Sequence, residues 1–176
     1  MSREEYDRLT EQGFFDGERV ELIEGMVVEM SPIGPNHADP VDVLTELFVK
    51  ALSARARIRI QQPFSAGANS EPEPDVALVP PGRYATAHPD RAFLIVEVAD
   101  SSLAHDRETK SHLYSRAGVP EYWVVDVPGR VVHVHDEIVD GRYARIRSFD
   151  RTKALSPSAF PDVALPLAEL FSEPQP

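Results

Sequence analysis

The chain contains no cysteine, which excludes disulfides, thiolate zinc sites and cysteine nucleophiles; any metal must be held by oxygen or imidazole. It has no run of about 20 apolar residues, the length that a membrane-spanning helix requires. Its N-terminal Met-Ser-Arg-Glu-Glu-Tyr lacks the basic and apolar regions of a signal peptide, so a soluble, cytoplasmic protein with no membrane partner is expected. Lysine is nearly absent: Lys50, Lys110 and Lys153 are the only lysines among 18 basic residues. A lysine is therefore a rare choice whose position carries information. Positive charge as a whole is in deficit, with 29 Asp and Glu giving a net charge of -11. That argues against broad adhesion to phosphate backbones, which needs clustered Lys and Arg, while leaving room for a local basic groove.

What is present fits one domain over residues 1–176, long enough to bury a core and without repeats or low-complexity tracts. Residues 3–12 read as a short polar helix ended by Gly13. The segment from Arg19 to Met30 holds two strand-like runs around Glu24-Gly25, a hairpin pattern. Residues 31–36 form a Pro/Gly loop. A helix is expected next, with Asp39 as its cap, Pro40 in its first turn and Val41, Leu44, Phe48 and Ala51 at helical spacing. Strands are expected over residues 57–64, 74–79 and 93–98, the last so continuously apolar that it should be central and covered on both faces. A helix over 106–117, closed by Gly118, precedes strands over 122–126 and 131–135 that turn at Pro128-Gly129. The proline-broken tail ends in an apolar stretch that should pack back on the core. This order describes an α/β or α+β domain in which helices flank a mixed sheet.

Two carboxylates stand out. Asp75, in Glu-Pro-Glu-Pro-Asp-Val-Ala-Leu-Val, directly follows Pro74, which cannot donate to a sheet ladder, so the acid lies at a strand's entrance. Glu97 lies near the end of Phe-Leu-Ile-Val-Glu-Val. A lone charge in such surroundings is costly to desolvate unless a cation offsets it. On neighbouring strands the two acids would converge on one Mg²⁺ or Mn²⁺, with water and substrate oxygens completing the shell. Each could equally cap a turn or pair with an arginine, and the two acids alone leave both readings open. Asp106, Lys110 and Tyr114 follow at i, i+4 and i+8 and share a helix face. Beside a metal-bound acid pair, Lys110 would orient water and stabilise charge on a phosphate. Taken as an isolated helix, the same spacing describes an ordinary Asp–Lys pair facing solvent.

Pro74-Asp75-Val76, Glu97 to Leu103, Asp106-Arg107 with Lys110 and Tyr114, and the block from Ala117 to Asp126 together resemble the Uma2 family, a bacterial family of endonucleases within the PD-(D/E)xK superfamily. The resemblance extends upstream to Arg19–Gly25, Met30-Ser31-Pro32, His37-Ala38 and Gln61, nearly the whole chain. It implies a restriction-endonuclease-like core preceded by a helix and hairpin. It also implies hydrolysis of DNA phosphodiester bonds, with Asp75 and Glu97 as ligands of Mg²⁺ or Mn²⁺ and Lys110 as the catalytic lysine. The superfamily places that lysine two residues after the second acid, where this chain has Ala99. Migration of the lysine to the next helix is geometrically reasonable, because only the final position of the ammonium matters.

Other residues carry two readings each. Glu21 matches the extra acid that superfamily members add from an early element, or is a surface residue of the first strand. His37 and Gln61 could contact substrate, and His37 could also contact the metal or, just before a capped helix, equally satisfy loop carbonyls. Tyr114 could hydrogen-bond the site or close the core. His133 and His135 alternate with valines; with no third ligand nearby, a solvated strand face is the stronger reading. Arg55, Arg57 and Arg59, and Arg142, Arg145, Arg147 and Arg151, read mainly as surface pairing residues. A chain of this size that cuts duplex DNA is often a homodimer. A non-catalytic regulatory or binding module retaining the nuclease fold is the alternative. A two-carboxylate glycosidase ranks lower because it leaves Lys110 unexplained.

Overall fold

The apolar run that the sequence places at the centre forms β5, Leu94–Ala99, and every one of its residues is buried. In a computed structural model, which describes residues 1–171, β5 lies third in a six-stranded sheet of order β3-β4-β5-β6-β7-β8. The other strands are β3 (Arg57–Ile60), β4 (Val76–Val79), β6 (Glu121–Asp126), β7 (Val131–Val139) and β8 (Arg142–Asp150). Only β5 and β6 run parallel. A parallel pair needs a crossover, and this one contains α3 (Leu103–His105), a π-helical turn (Asp106–Lys110) and α4 (Ser111–Arg116). The helix carrying Lys110 thus starts where β5 ends, at the same edge of the sheet as Glu97.

Strand alternation divides the core into two layers. Leu94, Val96 and Val98 meet Leu44 and Phe48 of α2 (Pro35–Leu52) and Trp123 on one face. The tail joins this layer through β9 (Ala154–Leu155), β10 (Leu165–Pro166) and α5 (Leu167–Leu170), as its apolar ending suggests. Ile95 and Ala99 meet Leu113, Tyr114, Tyr122 and Phe64 on the other. Glu97 shares that second face, so it emerges beneath the crossover helices. At the N-terminus, α1 (Arg3–Glu11) starts with a capping box between Ser2 and Glu5, and β1 (Val20–Ile23) and β2 (Met26–Glu29) form a separate hairpin.

Four expectations need correction. Helix α2 begins at Pro35 with Gly34 as its cap, rather than at Asp39; Pro40 sits in the second turn, and His37 rides on the helix instead of a loop. Strand β3 stops at Ile60 because Gln61 adopts a positive φ of 49°. The crossover helix starts at Leu103, three residues before the expected position. His133 and His135 are buried: the His135 ring is 5.5 Å from that of Tyr122, with Nδ1 3.2 Å from Ser111 Oγ, and burial lowers its pKa to about 4. Strand β8 was not expected at all. Its signal is Asp140-Gly141, both at positive φ, the geometry of a tight hairpin turn. Two of its arginines serve local pairing: Arg145 and Arg147 both bond Asp136.

A buried acid outside the sheet gives a pH-dependent prediction. Glu71 exchanges two backbone hydrogen bonds with Leu22, tying the hairpin to the segment before β4. Burial, and secondarily Asp7, raise its pKa to about 7, against the pull of Arg3. An acid raised in the folded state favours folding when protonated. Its contribution is complete below the unfolded value near 4.5 and is lost as pH rises to about 7. Glu71→Gln should remove this titration. Between pH 5 and 8, wild type should lose on the order of 2 kcal/mol relative to the variant in denaturant unfolding. Parallel pH profiles would contradict it.

Candidate active site

Pro74 delivers Asp75 to the first position before β4, and the antiparallel register that pairs Val76 with Val96 sets Asp75 opposite Glu97. The two acids interlock with the opposing backbone. Val98 N–H donates to Asp75 Oδ2 at 2.8 Å, and Asp75 N–H reaches Glu97 Oε2 at 3.4 Å. His37 Nε2, from the first turns of α2, lies 3.0 Å from Asp75 Oδ2, and Gln61 Nε2 donates to Oδ1 at 3.3 Å. The positive φ of Gln61, which ends β3, turns its side chain into this position.

The crossover helix supplies the cation. Lys110 Nζ donates to Glu97 Oε1 at 3.0 Å and lies 3.3 Å from Glu21 Oε1, with the lysine only 6 % exposed. Tyr114 donates its hydroxyl proton to the same Glu97 oxygen at 2.7 Å. Glu21, in β1, also accepts from Glu73 N–H at 3.1 Å, which holds the hairpin against the strand entrance. Glu97, Glu21 and Lys110 line a cleft of about 340 Å³ together with Asp75, His37, Arg19, His105 and Asp106.

Acids outnumber cations here, and the proton affinities reflect it. Burial pushes Glu97 well above the usual carboxylate range, and Asp75, Asp106 and Glu21 add to this while Lys110 opposes it. Burial would lower Lys110, but Glu97, Glu21 and Asp106 outweigh it and hold the ammonium above its ordinary value. Asp75 behaves oppositely: burial pushes it up, yet the bonds from His37 and Val98 N–H leave it below its ordinary value. His37 is raised by the Asp75 bond. The site thus combines a readily ionised acid, an acid that resists ionisation and a permanent cation.

A family model described as "Putative restriction endonuclease", Uma2, matches residues 3–168. The chain belongs to the Uma2 family. The crystal structure of a protein from Anabaena variabilis, titled a putative nuclease belonging to DUF820, is similar in fold. It has a TM-score of 0.72 and 19% identity, covering 87% of this chain and 89% of that one. A search of curated proteins found no match. The fold expected from the resemblance, a mixed sheet flanked by helices, is therefore the fold observed.

In this Uma2 chain the expected residues meet. Asp75, Glu97, Glu21 and Lys110 lie at the cleft floor, and His37, Gln61 and Tyr114 surround them, each bonded to one of the two central acids. Tyr114 is fully buried beneath Glu97, so its hydroxyl holds the acid. Two further acids were not singled out as site residues. Glu73 lies two residues before Asp75, and Asp106 accepts from Ser102 Oγ at 2.5 Å at the cleft wall. Glu-Pro-Glu-Pro-Asp contained the signal for the first, and the four-residue spacing to Lys110 the signal for the second.

Among the described residues, no group of three His, Asp or Glu side chains converges around one metal position. The donor chemistry nevertheless suits a hard divalent cation. Asp75 Oδ1 and Glu97 Oε2 carry only the long 3.3 and 3.4 Å contacts, and Mg²⁺ is commonly held by one or two carboxylates plus water and substrate oxygens.

Proposed function

We propose that this protein is a metal-dependent endonuclease that hydrolyses DNA phosphodiester bonds, with Asp75 and Glu97 holding Mg²⁺ or Mn²⁺ and Lys110 as the catalytic lysine. The observation that carries this reading is the 3.0 Å approach of Lys110 Nζ to Glu97. The ammonium that the superfamily supplies from the strand is supplied here from the crossover helix, to the same acid. Family membership supports the reading.

A bound divalent cation would polarise a phosphodiester oxygen and lower the pKa of a water. The chain's own groups do the rest. His37 and Val98 N–H keep Asp75 ionised and fixed in orientation. Tyr114 fixes Glu97 from below. Lys110 lies where it can donate to the attacking water or to a phosphate oxygen that gains charge, the preorganised electrostatics such reactions need. Arg19 and His105, which also line the cleft, would meet flanking phosphates.

One observation favours a second reading. Lys110 already compensates Glu21 and Glu97 in a buried ion pair, which a non-catalytic module could keep for conformational specificity. Incubating purified protein with supercoiled, linear and single-stranded DNA separates the two. The endonuclease requires cleavage with Mg²⁺ or Mn²⁺ that EDTA stops. The module is supported if no DNA form is cut under conditions in which calorimetry shows no metal binding.

A further inference from the structure

The π-helical turn in the crossover has its own support from the sheet. Ser111 N–H reaches back five residues to the carbonyl of Asp106, and that carbonyl also accepts the Tyr122 hydroxyl at 3.1 Å. At the turn's other end, Ser111 Oγ lies 3.2 Å from His135 Nδ1. Tyr122 and His135 are direct cross-strand partners on β6 and β7, with ring centroids 5.5 Å apart. Both are completely buried, and His135 Nε2 has no hydrogen-bond partner among the described residues. Two adjacent side chains of the sheet therefore grip the two ends of one five-residue turn.

The turn's geometry determines what reaches Glu97. At 3.6 residues per turn, each four-residue step drifts by about 40°, so an unbroken α-helix would fan Asp106, Lys110 and Tyr114 over about 80°. The wider π turn between Asp106 and Lys110 takes back that drift, and such insertions recur at functional sites. The result is that Lys110 Nζ and the Tyr114 hydroxyl meet on one oxygen, Glu97 Oε1, while Asp106 still faces the cleft. An α-helical register would give the Asp106 carbonyl to Lys110 N–H instead, and the Tyr122 hydroxyl stabilises the alternative.

We infer that Tyr122 and His135 are positioning residues, a clamp that holds the crossover helix in its π register and so places Lys110 on Glu97. The kinetic part of this inference rests on the endonuclease reading; the placement of Lys110 does not. Tyr143 provides a matched control. It is a partly buried tyrosine whose ring packs on Tyr122 and His135, so Tyr143→Phe keeps that packing and removes only a hydroxyl that bonds Val119 O, outside the turn.

The test is lysine acetylation mapped by peptide mass spectrometry on the folded protein, with exposed Lys50 and Lys153 as internal references. Tyr122→Phe should raise acetylation of Lys110 severalfold relative to those references, and Tyr143→Phe should leave it as in wild type. His135→Phe should act like Tyr122→Phe, and His135→Asn, which restores a polar group near the Nδ1 position, should reverse most of the effect. If His135→Phe does not fold, the two tyrosine variants and His135→Asn still decide. Unchanged Lys110 labelling in Tyr122→Phe, or equal increases in both tyrosine variants, overturns the clamp. Where wild type cleaves DNA, Tyr122→Phe should also slow single-turnover cleavage by about 10- to 100-fold, the scale of lost supporting partners. In a Lys110→Gln background that slowing should vanish, whereas a general packing defect would persist. A wild type that cuts nothing defeats the endonuclease reading and leaves the labelling result to judge the clamp alone.

Discussion

Asp75→Asn and Glu97→Gln are each expected to slow metal-dependent DNA cleavage by at least 10²- to 10³-fold, the cost of removing one preorganised electrostatic partner at a reacting centre. Both substitutions keep side-chain shape and remove charge. Glu97→Gln retains an acceptor for Lys110 and Tyr114, and Lys110 keeps Glu21, so the stability cost should be confined to the long Asp75 N–H contact, which an amide nitrogen cannot accept. Asp75→Asn should cost stability as well. Asp75 is held ionised by His37 and Val98 N–H, and an amide cannot fully replace a carboxylate that accepts both. DNA affinity should hold or tighten in both variants, because a negative charge leaves a phosphate-binding cleft. A lost rate with retained binding and fold marks a role in the reaction. Cleavage at the wild-type rate by both variants would defeat the assignment.

Lys110→Met should be the most destabilising single change at the site. The lysine is the cation between two buried acids, and removing one partner of such a group costs about 3–5 kcal/mol because the other charge is left uncompensated. For a domain of this size that corresponds to a fall in melting temperature of roughly 6–20 °C. The loss should shrink on acidification. Glu97 already takes up a proton more readily than an ordinary carboxylate, and without Lys110 its proton affinity rises further, so its protonation removes one of the two charges that the lost lysine leaves uncompensated. Thermal melts at pH 5 and pH 8 check both parts. A variant as stable as wild type at pH 8 would show that the pair is not holding the hairpin, β5 and the crossover together.

Much of this site was legible because its acids sit where the chain's hydropathy makes them anomalous. Glu97 interrupts a buried strand, Asp75 follows a proline at a strand entrance, and Lys110 is one of three lysines. The hairpin was visible at Glu24-Gly25, and the convergence of Glu21 on Lys110 follows from that hairpin folding over the strand entrance. Other features leave little or no trace in hydropathy. Pro35 and Pro40 are both acceptable near a helix start, and the chain uses the first, which moves His37 onto the helix and within reach of Asp75. The π turn shifts the helical period, but the crossover from Leu103 to Arg116 is too short and has too few apolar positions for that shift to show in its hydropathy. His133 and His135 alternate with valines as an outward polar face would, yet both are buried, His135 against Ser111 of the crossover and His133 against Ser148 of β8. Strand β8 is exposed except for the partly buried Tyr143 and Phe149, so it shows no apolar alternation and only its Asp140-Gly141 turn announces it.

Anomalous diffraction from crystals soaked in Mn²⁺ tests the central claim most directly. The endonuclease reading predicts one strong peak about 2.1 Å from oxygens of both Asp75 and Glu97, absent from Asp75→Asn crystals. No peak at saturating Mn²⁺, with Lys110 still seated on Glu97, would contradict it.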